Sequence, residues 1–179
     1  MSQRYSEIRK ELKDFAIKQK IFFVATAGRG GRVNISPKGM DTLRILGSNR
    51  VIWLNLTGSG TETSAHVQEN GRMTLMFCAF EGKPMILRFY GKAKVIHPRG
   101  GEWSSLIQWF PKIAGSRQIF DLSIDLVQRS CGMGVPIFDF VANRRDLKEI
   151  AEKKGEKGIR RYWEEKNAFS LDGKSTNIV

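Results

Sequence analysis

Residues 86–96 alternate between two sets of side chains, and this alternation limits the fold more than any other feature of the sequence. One set is small or apolar: Leu87, Phe89, Gly91, Ala93 and Val95. The other set is polar or basic: Arg88, Tyr90, Lys92 and Lys94. A period of two is typical of a strand in an antiparallel sheet that has one side in the core.

Five more segments have the composition of strands, and the predicted helices are short. The strands are predicted at 21–26, 33–36, 51–56, 73–79 and 118–128, the last alternating through Leu122, Ile124 and Leu126. Helices are predicted at 5–19, 61–69 and 102–110, with two charged C-terminal segments within 144–166. Six antiparallel strands with few helices favour a closed or half-closed barrel over a parallel α/β fold. We expect one domain over residues 1–179, with a mobile tail at 170–179.

The chain of 179 residues carries 30 Lys+Arg against 18 Asp+Glu, a net charge of +12. This balance indicates an anionic partner, which can be a phosphorylated ligand, a nucleic acid or an acidic membrane surface, although a basic solvated surface explains it equally well. No apolar run is long enough to span a membrane, and the charged N-terminus does not resemble a secretory signal. Two cysteines are too few for a disulfide framework. We therefore expect a cytoplasmic protein without a membrane partner.

Three polar side chains, Asn34, Ser36 and Lys38, follow one another at every second position. In a strand they share one face, and Pro37 between them indicates an edge or a bulge. These groups need either water or a ligand, so the segment predicts a binding site or, alternatively, a solvated strand end.

The segment 57–63 indicates the start of a helix rich in hydroxyl groups and glycine. Ser59 at the N-cap and Glu62 three positions later have the form of a capping box. The first turn of a helix has unpaired N–H groups that can bind phosphate, to which Thr57, Ser59 and Thr63 can add hydroxyls. Glu62 would repel an anion unless it points away. An ordinary capped helix that binds nothing fits the same residues.

The sequence contains no recognisable hydrolytic or metal-binding pattern. The two histidines, His66 and His97, lack the spacing of metal ligands, and His66 is predicted to be structural. Cys131 is either a nucleophile or, as we favour, a small buried thiol at a turn. We name no catalytic residue and no metal site.

Taken together, these motifs resemble the pyridoxamine 5'-phosphate oxidase-like, FMN-binding split-barrel family. The matching segments are 33–39, 58–66, 69–72, the strand 86–95, the helix with Trp103, and 130–136. They come in the order of the family and cover roughly residues 5–170. The resemblance implies a six-stranded antiparallel split β-barrel with flanking short helices, and a homodimer with FMN at the subunit interface.

The resemblance also implies which residues bind FMN. Asn34, Ile35 and Ser36 would line the isoalloxazine or ribityl chain, and Lys38 would pair with the phosphate. Residues of the helix start would approach the same phosphate: Thr57, Ser59, Glu62 and Thr63. Arg88 and Cys131 would come from the partner subunit.

The sequence departs from the true oxidase at two places. Glu62 and Thr63 stand where the oxidase has a basic Arg-Lys pair, and the segment 166–173 lacks the Arg- and Trp-containing end that binds pyridoxamine. We therefore expect an FMN-dependent oxidoreductase with a small-molecule substrate other than the B6 vitamer. A non-enzymatic flavin sensor or storage protein, and a deazaflavin in place of FMN, remain alternatives. Nucleic-acid binding is the least favoured, because no RNA-binding aromatic motif is present.

Overall fold

The computed structural model describes residues 2–179, which form one antiparallel sheet of eight strands with helices packed around it. The strands are β1 Gln3–Tyr5, β2 Phe22–Thr26, β3 Asn34–Lys38, β4 Leu43–Ile45, β5 Arg50–Leu56, β6 Arg72–Cys78, β7 Ile86–Ile96 and β8 Ser116–Ser130. The helices are α1 Lys10–Lys18, α2 Glu62–Asn70, α3 Trp103–Ile107, α4 Asp146–Tyr162 and a π-helix, Trp163–Asn167.

The sheet has the order β3-β2-β6-β7-β8-β5-β4, and β1 pairs with β8 beside this path. It curls into the half-closed barrel that the sequence predicts, with eight strands rather than six. The two additional strands, β1 and β4, have three residues each. Tyr5, predicted to begin the first helix, lies instead in β1 and pairs with Val127, so that the helix begins at Lys10.

The barrel interior is the main hydrophobic core, to which α1 contributes Leu12 and Ala16. At its centre Trp53 stacks on Phe120, with ring centroids 4.6 Å apart. A smaller cluster on the other side of β5 packs Ile52 and Leu54 against α3 and the end of β7. Because β5 is buried on both faces, its run of apolar residues shows no alternation.

A bulge at Asp125 changes the alternation of β8. Tyr90 pairs with Leu126 while its neighbour Gly91 pairs with Ile124, so Asp125 has no partner residue on β7. As a result Ile124 and Val127 both face the core, where the regular alternation predicts Leu126. Gly91 is required here, because a Cβ atom at this position would lie 1.9 Å from the Ser123 carbonyl oxygen.

The C-terminal strap, which we define as residues 168–178, is packed against α2 and the β2–β3 hairpin. Thr176 and Ile178 are buried, and the Ser64 hydroxyl donates to the Thr176 carbonyl at 3.0 Å. The Arg32 backbone N–H donates to Asp172 at 2.8 Å. The partners in these contacts lie far away in the sequence, so no local pattern indicates them. Before the strap, α4 is interrupted at Gly155, which has a φ of 63°.

Candidate functional site

The inward face of β3 presents a polar row, Asn34, Ser36 and Lys38, as the period of two predicts. These three side chains are half-buried, whereas Val33 and Ile35, on the opposite face, are 72% and 65% exposed. β3 lies at the edge of the sheet and pairs only with β2, and this position is compatible with one exposed face. The side chain of Ile35 therefore points away from the residues with which it was predicted to act.

Hydrogen bonds join the polar row to a fully buried histidine on α2. The Ser36 hydroxyl donates to Asn34 Oδ1 at 3.1 Å, and Asn34 Nδ2 donates to Thr26 Oγ1 at 3.3 Å and Thr63 Oγ1 at 3.1 Å. Thr26 Oγ1 lies 3.1 Å from His66 Nδ1. Because a hydroxyl group both donates and accepts, the histidine tautomer decides which of the two atoms donates in this bond.

This network fixes the donors and acceptors that the row presents. Both the amide and the carbonyl of Asn34 are engaged, and the proton of Ser36 is used, so Ser36 offers its oxygen lone pairs to a ligand. Thr63, predicted to bind a cofactor, is buried and serves here to orient Asn34. The structural role predicted for His66 agrees with its burial inside α2.

Lys38 is a half-buried cation without a carboxylate partner. Among residues 2–179 no ion pair of this lysine is present, and its ammonium lies 5.5 Å from the centroid of the Trp53 ring. Burial and the nearby Arg117 lower the pKa of Lys38 from 10.5 to about 8, while Glu62 opposes the change. The end of the polar row therefore carries a cation that an anionic ligand would stabilise.

Arg117, at the start of β8, supports the α2 loop, which we define as residues 57–61. It is 3% exposed, and it donates from Nη1 to the Gly58 carbonyl at 3.1 Å and from Nη2 to the Gly60 carbonyl at 2.7 Å. Asn167 Nδ2 adds a bond to the Gly58 carbonyl at 3.0 Å, and its Oδ1 accepts from Arg117 at 2.8 Å. Burial lowers the pKa of Arg117 to about 10.

The direction of these two carbonyls determines where the amides of the α2 loop point. In a trans peptide the C=O and the following N–H point in opposite directions. With the Gly58 and Gly60 carbonyls on Arg117, the N–H groups of Ser59 and Thr61 therefore point away from it. These two N–H groups and the exposed Ser59 hydroxyl are candidate donors for an anion.

Glu62 already uses one of these donors. Its carboxylate accepts from the Thr61 N–H at 3.0 Å, the Thr61 hydroxyl at 3.3 Å and the Leu171 N–H of the strap at 3.1 Å. Burial by itself would raise the pKa of Glu62. The hydrogen bonds to its carboxylate, which include one from its own backbone N–H, have the larger combined effect, so the pKa is lowered. Helix α2 consequently begins at Glu62, and the predicted N-cap bond from Ser59 does not form.

Thr57 is occupied by structural contacts. Its hydroxyl donates to the Gly115 carbonyl at 2.7 Å and accepts from the indole N–H of Trp163 at 2.8 Å. Trp163, Asn167 and Arg117 are the residues of this region that sequence reasoning missed. Each contacts the α2 loop across 50 or more positions, as the separation of 106 between Trp163 and Thr57 illustrates. No local pattern could have indicated them.

Arg88 and Cys131 lie apart from the other predicted residues. Arg88 donates to the Ser130 hydroxyl at 3.4 Å, and among residues 2–179 no hydrogen bond joins it or Cys131 to the polar row. Cys131 is exposed, where a buried thiol was favoured. The N–H of Met133 lowers the pKa of this thiol.

Comparisons with known proteins agree with this architecture. The family profile named pyridoxamine 5'-phosphate oxidase matches residues 8–131. The pyridoxamine 5'-phosphate oxidase family protein ustO of Aspergillus flavus is 34% identical over 187 residues, which cover 94% of this chain and 75% of that protein.

Two solved structures share the fold at low sequence identity. HupZ from Group A Streptococcus is 22% identical, with a TM-score of 0.55 over 66% of this chain and 91% of that one. A Clostridium acetobutylicum protein of the pyridoxinephosphate oxidase family, related to general stress protein 26, is 18% identical, with a TM-score of 0.51 over 68% of this chain and 86% of that one.

Among residues 2–179 the structure contains no helix that is both long enough and apolar enough to cross a membrane.

Proposed function

Because the chain belongs to the pyridoxamine 5'-phosphate oxidase family, we propose that it is an FMN-binding flavoprotein oxidoreductase with a small-molecule redox substrate. The observation that carries this proposal is the unpaired cation Lys38 at the end of the polar row. A half-buried ammonium with a lowered pKa is unfavourable in the free protein, and a phosphate beside it would remove that cost.

The residues of the site fit the parts of FMN. Lys38 and the outward N–H of Ser59 would hold the phosphate, while the lone pairs of Ser36 would accept from a donor group of the isoalloxazine. Ile35 can contribute through its backbone only, since its side chain faces outward. When bound, FMN supplies hydride transfer at its N5 atom. The chain's own contribution is orientation and a positive potential from Lys38 and Arg117.

Three predicted ligands receive a supporting role in this proposal. Glu62 stays on the Thr61 and Leu171 amides and fixes the start of α2, so the phosphate would occupy the side of the α2 loop nearer Lys38. Thr63 orients Asn34, and Thr57 anchors the α2 loop to Gly115.

We propose further that the active form is a homodimer, in which Arg88 and Cys131 of one subunit complete the site of the other. Two exposed apolar surfaces support this. Ile35 lies on the edge strand β3 and Val33 comes directly before it, and the segment after β8 exposes Met133 and Val141 at 81% and 92%. Exposed apolar side chains and an unpaired strand edge are common features of protein interfaces.

The first experiment is the absorbance spectrum of the purified protein, with mass identification of any released ligand. A flavin spectrum is expected; a deazaflavin or haem spectrum, or a colourless protein that does not quench added FMN fluorescence, would refute FMN binding. In a titration, Lys38→Gln is expected to weaken FMN binding about 10- to 100-fold, as for loss of a charge-assisted bond. The exposed Lys153→Gln is the matched control and should bind normally.

Turnover separates an enzyme from a flavin storage or sensor protein. The FMN-loaded protein is assayed with NADH and NADPH and with common electron acceptors. Steady turnover that Lys38→Gln reduces supports the oxidoreductase, whereas bound FMN without turnover by any donor supports storage or sensing. Light scattering after size exclusion gives the oligomeric state, and a monomer that binds FMN would contradict the shared site.

A further inference from the structure

Apart from the polar row and the α2 loop, a pocket lies at the end of the barrel where β6 and β7 are joined. Its volume is about 680 Å³. It lies between the end of α1, the β6–β7 hairpin and the arm, which we define as residues 131–145 between β8 and α4. Its apolar walls are Phe15, Ile21, Phe80, Met85, Phe138 and Phe140. This size and this lining are typical of pockets that bind small organic ligands.

The arm is held in place where it forms the wall of this pocket. Gly132 has a φ of 68°, and a Cβ atom there would lie 2.8 Å from backbone atoms of Met85. The Phe138 N–H donates to the Phe80 carbonyl at 3.0 Å, and the two phenyl rings lie 5.6 Å apart. A glycine that permits close approach and a bond from one backbone to the other fix the arm on the hairpin.

Three lysines, Lys18, Lys20 and Lys83, surround the apolar walls, against two carboxylates, Glu81 and Asp139. Among residues 2–179 none of the five forms an ion pair within 4.0 Å. The Lys20 ammonium lies 5.5 Å from the centroid of the Phe140 ring, directly beside the apolar surface. The rim thus provides free cations next to a hydrophobic wall, which suits a ligand with an apolar body and one acidic group.

We propose that the arm pocket binds a small amphipathic carboxylate, with an aliphatic or aromatic body against the phenylalanines and its acid group on Lys20. None of the residues that line this pocket belongs to the polar row or the α2 loop. The arm also carries Cys131, Met133 and Val141, which the proposed dimer uses, so FMN competition and the oligomeric state are measured alongside ligand binding to let the two proposals fail separately.

The test is isothermal titration of the full chain with decanoate, compared with decanol and with acetate. Decanoate should bind to one site per chain, decanol at least tenfold more weakly because it lacks the charge, and acetate not measurably because it lacks the apolar body. Lys20→Gln should weaken decanoate about 5- to 30-fold and leave decanol unchanged. Lys153→Gln, on α4 and outside the pocket, should have no effect.

A second variant, Phe138→Ser, should weaken decanoate and decanol alike; circular dichroism and a urea titration check that both variants fold. Equal affinity for decanoate and decanol, or an unchanged affinity in Lys20→Gln, would overturn the proposal. Two further outcomes would also overturn it. If decanoate displaces bound FMN, the pocket is part of the flavin site. If Phe138→Ser turns a dimer into a monomer and the wild-type dimer does not bind decanoate, a second copy of the chain fills the pocket.

Discussion

Replacing Lys38 with methionine should make the ligand-free protein more stable at neutral pH. Methionine is also unbranched, makes favourable contacts with aromatic rings such as that of Trp53, and carries no charge. The wild-type cation has no carboxylate partner among residues 2–179 and lies beside a second cation, Arg117. Removing it removes an unfavourable charge rather than a salt bridge.

The magnitude follows from the pKa of Lys38, which falls from 10.5 to about 8. That change corresponds to about 3 kcal/mol of unfavourable free energy at pH 7. Two effects reduce it: partial exposure of the side chain screens the charge, and the Trp53 ring returns about 0.5–2 kcal/mol as a cation–π contact. We expect Lys38→Met to raise the free energy of unfolding at pH 7 by about 1–2 kcal/mol.

The pH dependence gives the sharper measurement. The folded state holds Lys38 at a lower pKa than the unfolded state, so the cost is fully present below pH 8 and disappears as the pH rises from 8 to 10.5. The free energy of unfolding is measured in urea at pH 7, 8, 9 and 10 for the wild type, Lys38→Met and the control Lys153→Met. An advantage of Lys38→Met that shrinks above pH 8 is expected. A less stable variant at pH 7, or a difference that does not change with pH, would refute the reasoning.

Three other substitutions test the fold around the site. Arg117→Met removes the donor of the Gly60 carbonyl and one of the two donors of the Gly58 carbonyl, and should lower the free energy of unfolding by about 1–3 kcal/mol in urea, with Arg117→Lys recovering only part. Gly91→Ala forces a Cβ against the Ser123 carbonyl, which should cost about 3 kcal/mol, whereas Gly47→Ala, in open space, should cost less than about 1 kcal/mol. Burial and the nearby Arg99 lower the pKa of His97 to about 4. Above pH 6.5 this group is neutral in both states and has no effect, whereas between pH 6.5 and 4 only the unfolded state binds the proton, so the free energy of unfolding falls. His97→Gln should flatten the fall in thermal unfolding temperature over that interval, and a fall as steep as in wild type would contradict the assignment.

The sequence predicted those parts of the fold that repeat locally. The strand over 86–96 and the shared face of Asn34, Ser36 and Lys38 follow from the period of two alone. The strands β1 and β4 were missed because three residues are too few to show a period. They exist because β8 and β5 offer edges with which they can pair.

The parts of the site that were missed depend on contacts between distant segments. Ser59 and Glu62 had the spacing of a capping box, but the Leu171 amide and the Thr61 amide hold the Glu62 carboxylate, so the cap takes another form. Arg117 is a single arginine at a strand start, and only its burial under the α2 loop reveals its role. A local pattern contains no information on a bond between residues 50 or 100 positions apart.

The bulge at Asp125 determines on which side of the sheet the arm begins. Up to Ile124 the even-numbered residues of β8 face the core, and from Val127 onwards the odd-numbered residues face it. Deleting Asp125 would restore a uniform ladder but bring residues 126–130 out of phase with the core. The arm would then leave β8 from the opposite face, away from Phe80 and Met85. The unpaired residue Asp125 thus sets the face of the sheet to which the residues after it point, and the position of the arm pocket depends on it.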